Sequence, residues 1–280
     1  MYYNIYVLGC KCYYFIHLNR NLLNDKISLS KRGECMQTKI GVFDSGIGGA
    51  TVLKECLKTS NNYHYIYYSD SINNPYGDKK REEVLIIASN ICDYLINLGC
   101  KIIIIACNTA SAICVDYIRE KYKDIIFVAI EPAVKVAYDS NEIDGTLIMA
   151  TKGTMDSERF HILYDKYHYD NFYLLSCSGL ANIIEHEYEK LDDYLKENLS
   201  NYKNKVKSVV LGCTHYSLIK KEISKILGNV TFYDGNIGVA KRLKNIIEEN
   251  NIICSENKIT FIDSSNDSEK EKRFWDIIKD

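Results

Sequence analysis

Two cysteines in this 280-residue chain stand in matching settings. Residues 101–111 read K-I-I-I-I-A-C-N-T-A-S, and residues 207–217 read K-S-V-V-L-G-C-T-H-Y-S. In each, an apolar run of strand type ends in a small residue, then Cys107 or Cys213, then turn formers and a helical pattern. A side chain between a strand end and a helix start meets unpaired N–H donors and the positive end of the helix dipole. That setting stabilises a thiolate. One such cysteine suggests a nucleophile. Two suggest a two-sided site, where one thiolate removes a proton and the other thiol supplies one.

A thiol at its ordinary pKa of about 8.5 is only a few per cent ionised at neutral pH. Lowering that pKa by about 1.5 units takes about 2 kcal/mol, whereas a helix terminus supplies about 0.3–1 kcal/mol. Helpers are therefore expected. Asp44, in G-V-F-D-S-G-I-G-G (41–49), and His215, two residues after Cys213, are the nearest candidates on the two sides. Gly46, Gly48 and Gly49 in this segment permit close backbone approach to a ligand. The segment is neither a dinucleotide fingerprint nor a phosphate loop with its lysine. Asn108, Thr109 and Thr214 are natural helix caps that can also hold substrate. The only two prolines, Pro75 and Pro132, sit in S-D-S-I-N-N-P-Y-G and A-I-E-P-A, where they set local backbone geometry.

The elements that must position these residues are legible. Strand-type runs recur at 40–43, 65–68, 102–106, 125–130, 146–150, 172–175, 206–211, 230–233 and 259–262. Helical patterns lie between most of them, as over 81–98 with Val84, Ile87, Ile91 and Leu95 on one face. Alternating strands and helices predict an α/β fold of doubly wound parallel sheets. The two cysteine segments lie about a hundred residues apart, which predicts two similar subdomains facing each other across a cleft. Residues 39–133 and 216–280 are expected to form the first and 134–215 the second. Residues 1–38 carry no fold signal and read as an N-terminal extension ahead of a true start at Met36. They fit neither a signal peptide nor a membrane span.

Composition narrows the class. A net charge of −2 gives no basic footprint, so neither nucleic acid nor a membrane surface is expected as partner. The eleven cysteines are odd in number and contain no C-x-x-C, and the six histidines are scattered. Reduced thiols in a cytoplasmic protein follow, with no metal site, and Cys92, Cys100 and Cys114 serve as small buried hydrophobes.

F-D-S-G-I-G-G, N-P-Y-G, A-C-N-T-A-S and L-G-C-T-H-Y, in this order across about residues 39–265, together resemble the glutamate racemases of bacterial cell-wall synthesis, within the aspartate/glutamate racemase superfamily. The resemblance implies interconversion of L- and D-glutamate without cofactor, supplying D-glutamate for peptidoglycan. By it, Cys107 abstracts the α-proton of D-glutamate and Cys213 that of L-glutamate, with Asp44 assisting the first and His215 beside the second. Ser45, Tyr76, Gly77, Asn108, Thr109 and Thr214 match substrate-contacting positions, shared with Asp44 and His215. Asp70 and Glu185 match supporting acids. The family usually shows G-D-x-A before P-Y-G and C-P-L-F where this chain has S-D-S-I and C-S-G-L. Glutamate is the expected small-molecule partner, and a homodimer the expected assembly. Two alternatives remain at this point: an aspartate or other amino-acid racemase of the superfamily, and a non-catalytic regulatory binding protein on the same fold. A redox or metal protein is disfavoured by the lack of C-x-x-C.

Overall fold

The computed structural model describes residues 38–140, 145–252, 254 and 256–279; the expected extension and its start at Met36 lie outside them. In chain order the elements are β1 (Lys39–Asp44), α1 (Ala50–Thr59), β2 (His64–Ser69), α2 (Arg81–Asn97), β3 (Cys100–Ile105), α3 (Asn108–Lys121), β4 (Ile126–Ala129) and α4 (Val134–Asp139). There follow β5 (Thr146–Ala150), α5 (Lys152–Met155), α6 (Glu158–Lys166), β6 (Phe172–Ser176), α7 (Leu180–His186), α8 (Leu191–Leu199), β7 (Ser208–Gly212) and α9 (Lys220–Leu227). The chain closes with β8 (Thr231–Asp234), α10 (Asn236–Glu249), β9 (Lys258–Asp263) and α11 (Ser268–Lys279). Each of the nine expected strands is present, with ends shifted by a residue or two.

The strands form two all-parallel sheets, ordered β4-β3-β1-β2-β9 and β6-β5-β7-β8. Runs such as I-I-I-I in β3 suit strands covered on both faces, where β-branched side chains pack against helices on either side. Ile102 and Ile104 join one core cluster, with α1 and α10; Ile103 and Ile105 join another, with α2 and α3. Helix α2 begins with Glu82 and Glu83 at its positive end and stops at Gly99, whose φ of +91° only glycine adopts cheaply.

The architecture places particular residues at the carboxyl edges. In the first sheet the central strand β1 has β3 on one side and β2 on the other. In the second, β5 lies between β6 and β7. These are the points where strand order reverses and a crevice opens beyond the strand ends. The register pairs Asp44 with Ser69 and Ala150 with Gly212. Asp44, Asp70 and Cys107 therefore emerge at one edge, Thr151 and Cys213 at the other.

The division into halves differs from the expected one at a single boundary. Strand β8 pairs in parallel with β7, from Ser208 with Thr231 to Leu211 with Asp234, so residues 216–234 do not belong with the first half. Residues 216–234 follow β7 directly in the chain, and β7, buried along its length, offers β8 its free edge. The chain returns to the first half only at Gly235, ahead of α10, which packs on α1. Here the two crossings touch: a Cβ on Gly235 would lie 2.5 Å from the carbonyl oxygen of Glu131 in the other crossing.

The C-terminal helix α11 is anchored by Phe274. Its ring is fully buried, 4.5 Å from the centroid of Phe261 and 4.9 Å from that of Tyr67. Phe274→Ala should cost about 3–5 kcal/mol by removing that packing and leaving a cavity. Urea unfolding at neutral pH measures it; a loss below about 1 kcal/mol would mean that α11 is not held through this ring.

Candidate active site

The loop after β1 runs across the site because its glycines let it. Gly46 and Gly49 turn their N–H groups onto Asp44 Oδ2, at 3.2 and 3.0 Å. A Cβ on Gly46 would sit 2.2 Å from Glu185 Oε2, and one on Gly48 would sit 2.6 Å from the backbone nitrogen of His215. No side chain fits at either place, so the first half approaches the second by bare backbone.

Asp44 is fully buried and spans the halves. Besides its two N–H bonds it accepts from Thr214 Oγ1 at 3.2 Å. Burial raises its proton affinity above that of an ordinary carboxyl, against the pull of His215 and the Gly49 and Gly46 N–H groups.

Cys107 caps α3 with its own sulfur: Sγ accepts from Ala110 N–H at 3.5 Å, and the thiol points to Ser45 Oγ at 3.7 Å. The sequence led us to expect a stabilised thiolate. The opposite holds in the closed site, because burial first, and the charge of Asp44 next, push this thiol up far beyond an ordinary cysteine. One weak N–H contact at a helix start does not offset removal from water. The charge on Cys213 contributes in the same direction, so the two sulfurs lie within electrostatic reach of one another.

Cys213 stands in a different environment. His215 Nδ1 lies 3.9 Å from its sulfur, and His215 Nε2 lies 2.6 Å from Glu185 Oε2. Glu185 Oε2 also accepts from Asn74 Nδ2 at 3.0 Å, while Oε1 faces the ammonium of Lys270 at 3.0 Å. Burial alone would lower the affinity of His215 for a proton, but Cys213 and Glu185 together hold it well above 6.5. Glu185 is buried too, yet His215 and Lys270 pull its carboxyl down to about 2. The imidazole and carboxyl thus form a buried ion pair.

The remaining expected residues gather at the same edges. Tyr76 donates to Asp70 Oδ2 at 2.5 Å, and Asn73 donates to both oxygens of that carboxyl; Asp70 N–H in turn bonds the carbonyl of Asp44. The Tyr76 hydroxyl is therefore turned to Asp70. Gly77 lies against Thr151, where a Cβ would come within 2.7 Å of the threonine Cβ. Thr109 Oγ1 meets Thr151 Oγ1 at 2.9 Å and Thr154 Oγ1 at 3.4 Å, a second bridge between the halves. Asn108 is buried, and among the described residues its Oδ1 has no hydrogen-bond partner, which leaves an acceptor available next to Cys107 in the chain. The departure S-D-S-I is accommodated by Ser71, which donates to Asp263 at 2.5 Å.

Sequence reading missed Thr151, Thr154, Asn74 and Lys270. Thr151 had a signal: Ala150–Thr151 ends a strand and caps a helix as Ala106–Cys107 does. Lys270, in S-E-K-E-K-R, reads as one more solvated charge. Among the described residues every cysteine is unpaired, no group of side chains has metal-ligand geometry, and no helix is long and apolar enough to cross a membrane. Cys92, Cys100 and Cys114 are fully buried in the core around α2 and α3.

Comparison with known proteins gives a consistent neighbourhood. Residues 50–242 match the sequence profile of the family described as Asp/Glu/Hydantoin racemase. A glutamate racemase of Clostridium botulinum (strain Alaska E43) is 42% identical over 241 residues, 82% of this chain and 93% of that protein. The crystal structure of glutamate racemase from Francisella tularensis in complex with D-glutamate is similar at a TM-score of 0.75 and 29% identity, covering 87% of this chain and 94% of that one. The Escherichia coli glutamate racemase, in complex with L-glutamate and the activator UDP-MurNAc-ala, is similar at 0.69 and 28%, covering 76% and 83%.

The buried pair sets a pH dependence. Glu185 holds its proton less tightly folded than unfolded, so it adds stability that is complete above pH 4.5 and is lost as pH falls towards about 2. His215 holds its proton more tightly folded, so its share is complete below pH 6.5 and is lost as pH rises through its raised value. Glu185→Gln should therefore be destabilised most between pH 4.5 and 6.5, with the gap to wild type shrinking on the acid side. Denaturant unfolding across that range reads it; a gap that stays constant with pH would show that the pair is not ionised.

Proposed function

This chain belongs to the Asp/Glu/Hydantoin racemase family, among its glutamate racemases, and from that premise we propose how its residues exchange the α-proton of glutamate. It is an isomerase of L- and D-glutamate, with the cell-wall role of that family. The observation that supports the assignment of residues is the pair of buried sulfurs at the carboxyl edges of two parallel sheets, each with its own proton partner.

Cys213 is the base toward L-glutamate. A protonated His215 beside its sulfur stabilises the thiolate, which takes the Cα proton and becomes a thiol. The electron pair left on carbon spreads into the α-carboxylate, giving a planar species. N–H groups at the helix starts, with Asn108, Thr109 and Thr214, bind that carboxylate where charge develops. Cys107, a thiol in the closed site, donates its proton to the opposite face and is left as the thiolate. D-glutamate is the product.

The reverse direction starts from the Cys107 thiolate. Asp44 is the partner there: from the resting site its carboxylate takes the Cys107 thiol proton while protonated His215 gives one to the Cys213 thiolate. The Cys213 thiol then protonates the opposite face, and the substrate ammonium compensates the charge left on Cys107. Ser45, Tyr76 and Gly77 line the substrate, and Asp70 acts by fixing Tyr76. Each step moves one proton between sulfur, carbon, carboxylate and imidazole, and none is routed through a metal or a cofactor.

We also propose a homodimer, supported by Ile86 on α2 and Tyr117 on α3, each about half exposed on helices that pack together. Sedimentation equilibrium should give twice the chain mass, reduced to one by Ile86→Lys with Tyr117→Lys; a monomer in wild type would end this reading. Free thiols throughout the described residues fit a cytoplasmic location.

Circular dichroism of L-glutamate with purified protein and no added cofactor tests the chemistry. The signal should decay to zero with wild type, and slow by more than about a thousandfold with Cys107→Ser or Cys213→Ser. Aspartate should be inert. In deuterated water, D-glutamate formed in early turnover should carry solvent deuterium at Cα. Undiminished racemisation by either serine variant is incompatible with two thiol bases.

A further inference from the structure

Lys270 is a buried lysine on α11, its side chain 7% exposed, with its ammonium 3.0 Å from Glu185 Oε1. Burying a lysine is costly unless it is paired. It comes from the last helix of the first half, while Glu185 sits on α7 of the second. Oε1 has no other partner among the described residues, whereas Oε2 is shared by His215 Nε2 and Asn74 Nδ2. One turn further along α11, Arg273 donates to the carbonyls of Glu185 and Ile184, at 3.1 and 3.4 Å. Two cations of one helix thus hold the carboxyl and the backbone of the same residue.

We infer that Lys270 is a positioning residue for the Cys213 side of the site: its ammonium holds Glu185 so that Glu185 orients His215 against the Cys213 sulfur. The inference rests on the two-thiol reading above. It touches neither substrate nor the reacting atoms, and it acts at one remove through a charge that the fold has taken out of water. The chain of contacts is continuous from Lys270 through Glu185 and His215 to Cys213, at 3.0, 2.6 and 3.9 Å. With the ammonium gone, Oε1 would be a bare buried oxygen. Glu185 would then take a proton at higher pH, and the imidazole would lose its anchor.

Several charged groups act on Glu185. From the first half these are Asp44 after β1, Tyr67 on β2, and Lys270 and Arg273 on α11; from the second, His215 and, through it, Cys213. Asp44 disfavours the carboxylate, and Tyr67 is neutral throughout the accessible range. His215 and Lys270 are the charges that favour it. An opposite charge at this distance shifts a carboxyl by about one to three units.

The test uses full-length wild type, Lys270→Arg, Lys270→Met, Glu185→Gln and the Lys270→Met/Glu185→Gln double variant. Carboxyl-carbon NMR of Glu185 and ring-nitrogen NMR of His215, titrated over pH, need no turnover. Racemisation of L- and D-glutamate is followed in parallel. In Lys270→Met the Glu185 titration should rise by at least about one unit, with a matching rise in the acid limb of kcat/KM. Because the enantiomers are equal in free energy, kcat/KM falls equally in both directions. The α-deuterium isotope effect should nevertheless grow for L-glutamate, whose proton Cys213 removes, and shrink for D-glutamate, whose proton removal by Cys107 becomes less rate-limiting. Lys270→Arg should restore both titrations. Adding Lys270→Met to Glu185→Gln should change kcat/KM by less than about threefold, since the lysine acts only through that carboxylate. If Lys270→Met does not fold, this double variant, which lacks the uncompensated charge, carries the comparison: a loss beyond threefold overturns the inference. Titrations in Lys270→Met that superimpose on wild type also overturn it. Should wild type racemise no glutamate, the two-thiol reading fails, and the NMR titrations still decide whether Lys270 governs Glu185 and His215.

Discussion

Everything at this site depends on ionisable groups held out of water between two half-structures. Asp44, Cys107, Cys213, His215, Glu185 and Lys270 are all buried. An unpaired charge in such a place costs several kcal/mol, so each must find a partner; His215 and Glu185 pair within one half, and other partners lie across the crevice. Asp44 of the first half meets Thr214 of the second; Glu185 of the second meets Lys270 of the first. Charges of the proposed site are therefore also what registers the halves.

The two sulfurs are not equivalent, although their strand-end settings are. Cys107 has one N–H and a neighbouring carboxylate, so the closed site keeps it a thiol. Cys213 has an imidazole that Glu185 keeps charged. On the proposed mechanism, that difference supplies a base on one face and an acid on the other, which inversion at carbon requires. A pair of thiols would hold no base to begin, and a pair of thiolates no acid to finish. The asymmetry comes from what each half sets beside its own sulfur, Asp44 beside Cys107 and His215 beside Cys213.

Glycine placement makes that closure possible. Gly46 and Gly48 set bare backbone where an added Cβ would run into Glu185 and His215, and Gly77 does so against Thr151. At each of these positions a methyl group would hold the halves apart. The loops that approach by bare backbone follow strands β1 and β2, whose register fixes where they begin. Sheet topology and loop composition act on the same ångström-scale separation.

The sequence by itself determined the nine strands, the parallel α/β class and the two cysteines at strand ends, because period, strand composition and capping chemistry are local properties. It also carried Asp44, His215 and Glu185, through motifs that are contiguous in the chain. It led to the wrong half for residues 216–234, since pairing of β8 with β7 is a choice among sheet edges that no local pattern records. The protonation of Cys107 was likewise beyond it: a helix start favours the thiolate, and only the depth of burial and the approach of Asp44 decide otherwise. Asn74 and Lys270 joined the site solely through folding. Lys270 lies among charges that read as a solvated helix face, and tertiary structure alone turned that one ammonium inward, because a buried carboxylate 85 residues away in the chain had to be neutralised.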